Sequence, residues 1–323
     1  MVSGWGYSSM NSGPATEDRA VEALPLALGT AQLGMDYGIA NRLGRPRRAE
    51  AFRMVQAFVE HGGRWFDTAR AYGESEAVLG YSLRELGVVE KACVVTKLAR
   101  RDLRSADAAR AAVQESQSRL GARPWGILLH NEDLLDDWER GVGEILRRLR
   151  RESLTDHLGI SVYSVGRARQ ALEIDDLDVL QMPGSVFDRR MLRSRVLDKA
   201  RERGVMVFIR SVYLQGLLLM EAAGLPPRLS FARKALNAYA QFCRNHGLER
   251  DAFALAYARG RFGGTTIVGA ESADQVERNC RLVQEGAFPG VLLEAWDRAW
   301  PEDQEKLIDP SRWPQDCPPG SGG

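Results

Sequence analysis

Cysteine is scarce and scattered in this 323-residue chain: Cys93, Cys243, Cys280 and Cys317 stand far apart, with no C-x-x-C pair. That spacing gives no disulfide framework and no thiolate metal site, so reduced thiols in a cytoplasmic protein are expected. Charge of one sign is also lacking. The chain has 44 Lys+Arg against 43 Asp+Glu, a formal charge of +1, which leaves no field to gather nucleic acid or an anionic membrane. No apolar run approaches the roughly 18 residues of a membrane span. The opening MVSGWGYSSMNSGPATEDRA lacks a basic start followed by an apolar stretch, so it is not read as a secretory signal. His61, His130, His157 and His246 show neither H-x-H nor H-E-x-x-H spacing, so no metal is expected. Finally, no G-x-G-x-x-G follows the first apolar run, which weakens a dinucleotide-binding open sheet.

What is present is a repeat of short apolar runs and longer amphipathic segments, in a chain that is 44% hydrophobic and 27% charged. The runs are Leu24–Gly29, Trp65–Thr68, Ala92–Lys97, Gly126–His130, Leu158–Val162, Val179–Met182, Val205–Ile209 and Thr265–Val268. They are rich in Val, Ile and Leu, as strands buried on both faces require. Between them, helical spacing runs over Arg48–His61, Ser75–Leu86, Ser105–Leu120, Leu134–Arg151, Gly166–Ile174, Leu192–Arg203, Phe231–His246, Asp251–Arg259 and Ser272–Glu285. Glycine stop signals close several of these. About eight strand–helix units in one chain fit an α/β class (β/α)8 TIM barrel better than a doubly wound sheet. The expected organisation is a flexible N-terminal arm over residues 1–20, a single barrel over 21–310 and a loose C-terminal tail over 311–323. Within the loop 214–230, Leu217–Met220 reads either as a lid or as a packed turn.

In a barrel the chemistry sits at the C-terminal ends of the strands. Asp67 ends the second run, Tyr72 follows in its loop, Lys97 ends the third run and His130 the fourth. Each alone has a plainer reading: a cap for Asp67, packing for Tyr72, a solvated charge for Lys97 and a core histidine for His130. Together they put four chemically able side chains on one rim.

The segments LALGTAQLG, WFDTARAYGESEAVLG, VVTKL, ILLH, LGISVYS, VLQM and TTIVGAESADQVERN, in this order over residues 24 to 285, resemble the aldo-keto reductase family, in particular a bacterial branch with an LGTAQLG-type start. The resemblance implies a (β/α)8 barrel, a nicotinamide cofactor (NADPH, with NADH also open) and a catalytic tetrad of Asp67, Tyr72, Lys97 and His130. In that scheme Tyr72 is the general acid for a carbonyl oxygen that receives hydride. Lys97 lowers the phenol's pKa, Asp67 pairs with Lys97, and His130 orients the carbonyl.

The same resemblance places Gly29 and Thr30 beneath the nicotinamide, with Ser161 and Gln181 on its carboxamide. Arg210 falls where many relatives carry a ring stacked on the nicotinamide; the alternative for it is an ordinary rim salt bridge. Ser211, Leu214, Gln215 and Gly216 follow under the pyrophosphate. Gly269, Ala270, Ser272, Gln275, Arg278 and Asn279 take the adenosine-phosphate end. Gly269 and Gln275 stand where many relatives have Lys and Arg, and Glu271 is nearby, so the 2′-phosphate of NADPH is poorly provided for. Asp36, Tyr37, Asn131 and Tyr213 are assigned to the substrate side, a polar rim suited to a small, sugar-like aldehyde or ketone. The reading is thus an NAD(P)H-dependent carbonyl reductase or alcohol dehydrogenase. Two alternatives stay open: a non-enzymatic NADPH-binding regulatory protein of the same fold, and a Schiff-base aldolase using Lys97. Oligomeric state is not readable.

Overall fold

The computed structural model describes residues 24–301 and 304–314. The proposed arm over 1–20 and the last nine residues of the proposed tail lie outside that range. Eight parallel strands close into a barrel in chain order: β1 Leu26–Gly29, β2 Trp65–Asp67, β3 Cys93–Leu98, β4 Gly126–Leu129, β5 His157–Ser161, β6 Val179–Pro183, β7 Met206–Arg210 and β8 Thr265–Val268. Closure comes from β1 pairing with β8, Leu26 opposite Thr266 and Leu28 opposite Val268. Each expected apolar run is one of these strands, shifted by no more than two residues at an end.

The apolar runs form strands because both faces are buried. Ala27, Val95, Leu128, Val179, Phe208 and Ile267 fill the barrel interior. Leu26, Leu28, Phe66 and Val94 face outward onto the helices. Fully burying one such large aliphatic or aromatic side chain contributes about 1.5–3 kcal/mol. The N-terminal mouth is plugged by rings. Trp65 meets Trp125 edge to face at 4.6 Å and Phe208 at 5.5 Å, and Trp125 stacks on His157 at 4.1 Å. His157 therefore sits at the opposite end from the other strand-end residues. With one end sealed, access to the barrel is from the C-terminal ends of the strands.

Two expected helices are broken. Leu134–Arg151 is a 3-10 segment Glu132–Asp137, a wide turn Trp138–Val142 and a regular helix Gly143–Arg151. Gly141, at φ 130°, interrupts the winding. Leu192–Arg203 splits into Arg190–Arg193 and Val196–Glu202 around Arg195 at φ 61°. Leu217–Leu219 is a 3-10 turn whose Leu217 and Leu218 are fully buried, so this segment is a packed turn. Packing also runs past residue 310. Trp313 is buried, its indole N–H donates to the Lys306 carbonyl at 2.9 Å, and its ring lies 6.5 Å from that of Phe231. Trp313, placed by the sequence in a loose tail from 311, is therefore packed against the domain. Among the described residues Cys93, Cys243 and Cys280 are free thiols, no cluster could hold a metal ion, and no helix is long and apolar enough to cross a membrane.

Candidate active site

A cleft of about 390 Å³ lies over the open mouth. Its floor at one end is a buried charge pair. Lys97, in β3, donates from Nζ to Asp67 Oδ1 at 2.6 Å and to the Thr68 carbonyl at 2.9 Å. The Lys97 side chain is 1% exposed and that of Asp67 8%. Gln181, from β6, donates its amide to the same Asp67 oxygen at 2.7 Å. Three strands thus converge on one carboxylate. Burial pulls the Lys97 ammonium below its usual pKa and the Asp67 charge opposes that shift.

Tyr72 stands above this pair on the loop after β2. The loop is seated against Gly34: a Cβ there would lie 1.8 Å from the Tyr72 carbonyl oxygen, so only glycine lets the two backbones meet. Ser75, at the loop's end, donates to Thr30 Oγ1 at 2.7 Å, and Thr30 Oγ1 donates to the Asp67 carbonyl at 2.9 Å. Lys97 Nζ lies 5.1 Å from the centroid of the Tyr72 ring. The His130 ring meets it edge to face at 5.6 Å.

The electrostatics correct one expectation. The Tyr72 phenol is pushed well above its ordinary pKa, first by burial and then by the Asp67 charge. The Arg210 charge opposes that shift, and Lys97, 5.1 Å from the ring centre, is held in place by Asp67 and the Thr68 carbonyl. His130 moves the other way, down to about 4, through burial and the Lys97 charge. It is therefore a neutral imidazole at pH 7, with one N–H to donate.

The remaining assigned residues divide. Gly29, Thr30, Ser161, Gln181, Arg210, Ser211, Gln215, Gly216, Gly269, Ala270, Gln275, Arg278 and Asn279 line the cleft with Tyr37. Asp36 does not: it is exposed, and its carboxylate accepts from the Arg45 backbone N–H at 2.7 Å, holding the first loop. Asn131 is exposed at the start of a 3-10 segment and lies outside the cleft. Tyr213 also lines the cleft. Its hydroxyl donates to Asn279 Oδ1 at 2.8 Å, at the far end. Leu214 is 1% exposed and belongs to the core. The Ser272 hydroxyl accepts from the Gln275 backbone N–H at 3.3 Å, capping the helix Ala273–Gln284 rather than facing the cleft.

Arg210 is not in a salt bridge among the described residues. Its Nε donates to Ser161 Oγ at 3.3 Å, NH1 to Ser211 Oγ at 3.1 Å and NH2 to the Val162 carbonyl at 3.0 Å. Its guanidinium lies 3.9 Å from the centre of the Tyr163 ring. Gln32, Tyr163 and Asp251 also line the cleft and escaped the sequence reading. Gln32 and Tyr163 sit inside motifs already singled out, LGTAQLG and LGISVYS. Asp251 lies in the first turn of the helix Arg250–Phe262 that leads into β8, more than a dozen residues before the strand end where the sequence reading looked.

The residues present suit a dinucleotide. Ser161 accepts from Arg210 and keeps its own hydroxyl hydrogen. Gln181 uses its amide N–H and keeps its carbonyl. One donor and one acceptor are thereby left for a carboxamide. Ser211, Leu214, Gln215 and Gly216 have φ of 65°, 49°, 57° and 86°, and the amides of Leu214 and Gly216 close this turn onto the Ser211 and Tyr213 carbonyls, both at 3.0 Å, leaving Ser211, Gln215 and Gly216 along the cleft.

A profile of the aldo/keto reductase family matches residues 25–300. The chain belongs to the aldo/keto reductase family. The protein is 26% identical over 211 residues to the aldo-keto reductase YhdN of Bacillus subtilis, covering 62% of each chain. It is 28% identical over 173 residues to the NADH-specific methylglyoxal reductase of Escherichia coli, covering 47% of this reductase-family chain and 53% of that one. The matched segments thus span between about half and three-fifths of those relatives' lengths. An aldo-keto reductase from Klebsiella pneumoniae, solved in complex with NADPH, superposes with a TM-score of 0.67 at 19% identity, over 89% of this chain and 95% of that one. These structural likenesses agree on the barrel.

Proposed function

We propose that this aldo/keto reductase family member is an NAD(P)H-dependent carbonyl reductase, acting on a small, polar, sugar-like aldehyde or ketone. The observation that carries the reading is the buried Asp67–Lys97 pair lying beneath Tyr72 and His130 at the open mouth. A bound nicotinamide supplies the hydride. The chain supplies the position and the proton. His130, neutral at pH 7, donates its N–H to the carbonyl oxygen and fixes its direction. Tyr72 Oη gives its proton to that oxygen as negative charge develops there. An alkoxide is far more basic than a phenol, even one displaced upward by burial, so the transfer runs downhill. The upward shift keeps Tyr72 protonated throughout the neutral range, the state a proton donor needs. Lys97, near the ring, offsets the charge left on the phenolate, and Asp67 with Gln181 holds the ammonium in place.

Ser161 and Gln181 would hold the carboxamide, and Ser211, Gln215 and Gly216 in the turn after Arg210 would lie along the pyrophosphate. Gly269, Ala270, Gln275 and Asn279 would take the adenosine end. Arg278 is the local cation there, but it is paired with Asp251, and Glu271 faces the same cleft. A 2′-phosphate would have to compete for Arg278, so NADH is accepted beside NADPH. The hydroxyls of Tyr37, Tyr163 and Ser161 on the rim support a polar, oxygen-bearing substrate. The test is a titration of reduced-nicotinamide fluorescence with the protein, followed by turnover of a panel of small aldehydes by wild type and Tyr72→Phe. Binding of neither cofactor would overturn the reading. Binding without turnover by either protein would favour a sensor.

A further inference from the structure

Arg210 is not accounted for by that reaction. It ends β7, opposite Pro183 of β6, yet its guanidinium reaches back across β6 to Ser161 and Val162 at the end of β5. It therefore leans toward the His130 side of the mouth and away from the helix Ala273–Gln284, where a dinucleotide's adenosine end would lie. The groups that feel its charge are Tyr37, Tyr72, Lys97 and His130, all at the carbonyl end. At neutral pH Asp67 and Lys97 cancel, His130 is uncharged and both tyrosines are protonated. Arg210 makes no ion pair among the described residues, and the neighbouring Glu132 carboxylate is taken up by the backbone N–H groups of Tyr163 and Ser164 at 2.6 and 3.0 Å.

Its hydrogen bonds are to neutral oxygens and use three of its five N–H groups. One N–H on each terminal nitrogen is left to donate. The plane is held by stacking on Tyr163 at 3.9 Å and by the hydroxyl of Ser211, a non-glycine residue in the left-handed region. Such a conformation persists only where the surroundings enforce it. A fixed fork with a free donor on each prong matches the two oxygens of a carboxylate.

We propose that Arg210 is a specificity-determining residue that receives a carboxylate on the substrate, so that the preferred substrates are oxo acids rather than neutral carbonyl compounds. The proposal rests on the reductase reading above for its catalytic arm only. Three proteins decide it: wild type, Arg210→Lys and Arg210→Met. The probes are 4-oxobutanoate and pentanal, aldehydes of similar length with and without the charge. In wild type the kcat/KM ratio, anionic over neutral, is expected to exceed about 10, the worth of a charge-assisted hydrogen bond. It should fall at least about 10-fold in Arg210→Met and recover in part in Arg210→Lys. A wild-type ratio near one, or equal loss on both aldehydes with weakened NADPH binding, would give Arg210 to the cofactor and overturn the proposal.

A binding arm does not need turnover. Saturation-transfer NMR on the protein should show 4-oxobutanoate bound to wild type, with the signal lost in Arg210→Met and weakened by added salt. If no aldehyde is turned over, the reductase reading fails and this arm still decides. No transfer to wild type, or equal transfer to both proteins, sinks the proposal.

Discussion

The two ends of the cleft are built differently. At the carbonyl end, Asp67, Lys97 and Gln181 come from three strands and lock onto one another in near-complete burial. At the adenosine end, Arg278 and Asp251 pair across two neighbouring helices with side chains 46% and 21% exposed. The further contacts at this end are local: Asp251 Oδ1 accepts from the Ala252 backbone N–H at 2.8 Å, and Gln275 Oε1 from the Glu271 backbone N–H at 2.8 Å. A buried pair cannot lose one member without stranding a charge, whereas an exposed pair can exchange its partner for water or for a ligand. The contrast suggests that the carbonyl end is rigid and intolerant, and that the adenosine end is where cofactor preference can drift.

The sharpest way to break this contrast is Tyr72→Phe. Loss of the proton donor should lower kcat by about 10²–10⁴-fold while the fluorescence titration of NADPH changes little. Equal loss in cofactor binding would show that the ring serves packing. Next in size is Lys97→Met, which leaves Asp67 buried and uncompensated. Chemical denaturation should report a loss of about 3–5 kcal/mol, and a variant as stable as wild type would contradict the claimed burial.

A third effect is read by pH. The pKa of His130 falls from 6.5 to about 4 on folding. Above pH 6.5 both states are neutral and the group contributes nothing. As pH falls from 6.5 toward 4, the unfolded chain takes up a proton that the folded one refuses, so stability drops by about 3 kcal/mol at most. His130→Asn should remove that slope from a pH series of denaturation curves. The smallest effect belongs to the exposed end. Asp251→Asn frees Arg278 and should raise the NADPH-over-NADH ratio of Kd-derived affinities by about 2–5-fold, the scale of a surface ion pair. A larger change would mean that this end is as tightly coupled as the other.

Much of this was legible before any coordinates. The eight apolar runs mark the eight strands because a parallel sheet covered on both faces leaves no polar alternation to blur them. Asp67, Lys97 and His130 stood out because a polar residue at the end of such a run has few structural uses. The substrate-side residues were less legible. Asp36, Asn131 and Tyr213 were polar and close in sequence to strand ends, but loop conformation decides which way a side chain faces. One tightens its own loop, one faces solvent and one turns to Asn279. The kink at Gly141 was hidden as well, since a helical pattern survives in the sequence across a single non-helical residue.

Periodicity in the sequence determined eight buried parallel strands with crossover helices, because such strands read as continuous apolar runs, and it favoured a barrel over a doubly wound sheet; the closure of β1 on β8 is seen in the structure. Only the tertiary structure decided the electrostatics. Lys97 is held by Asp67, burial drives Tyr72 up, and Arg210 bonds neutral oxygens rather than a carboxylate. Such outcomes depend on distances and burial between residues tens of positions apart, and a linear pattern carries neither.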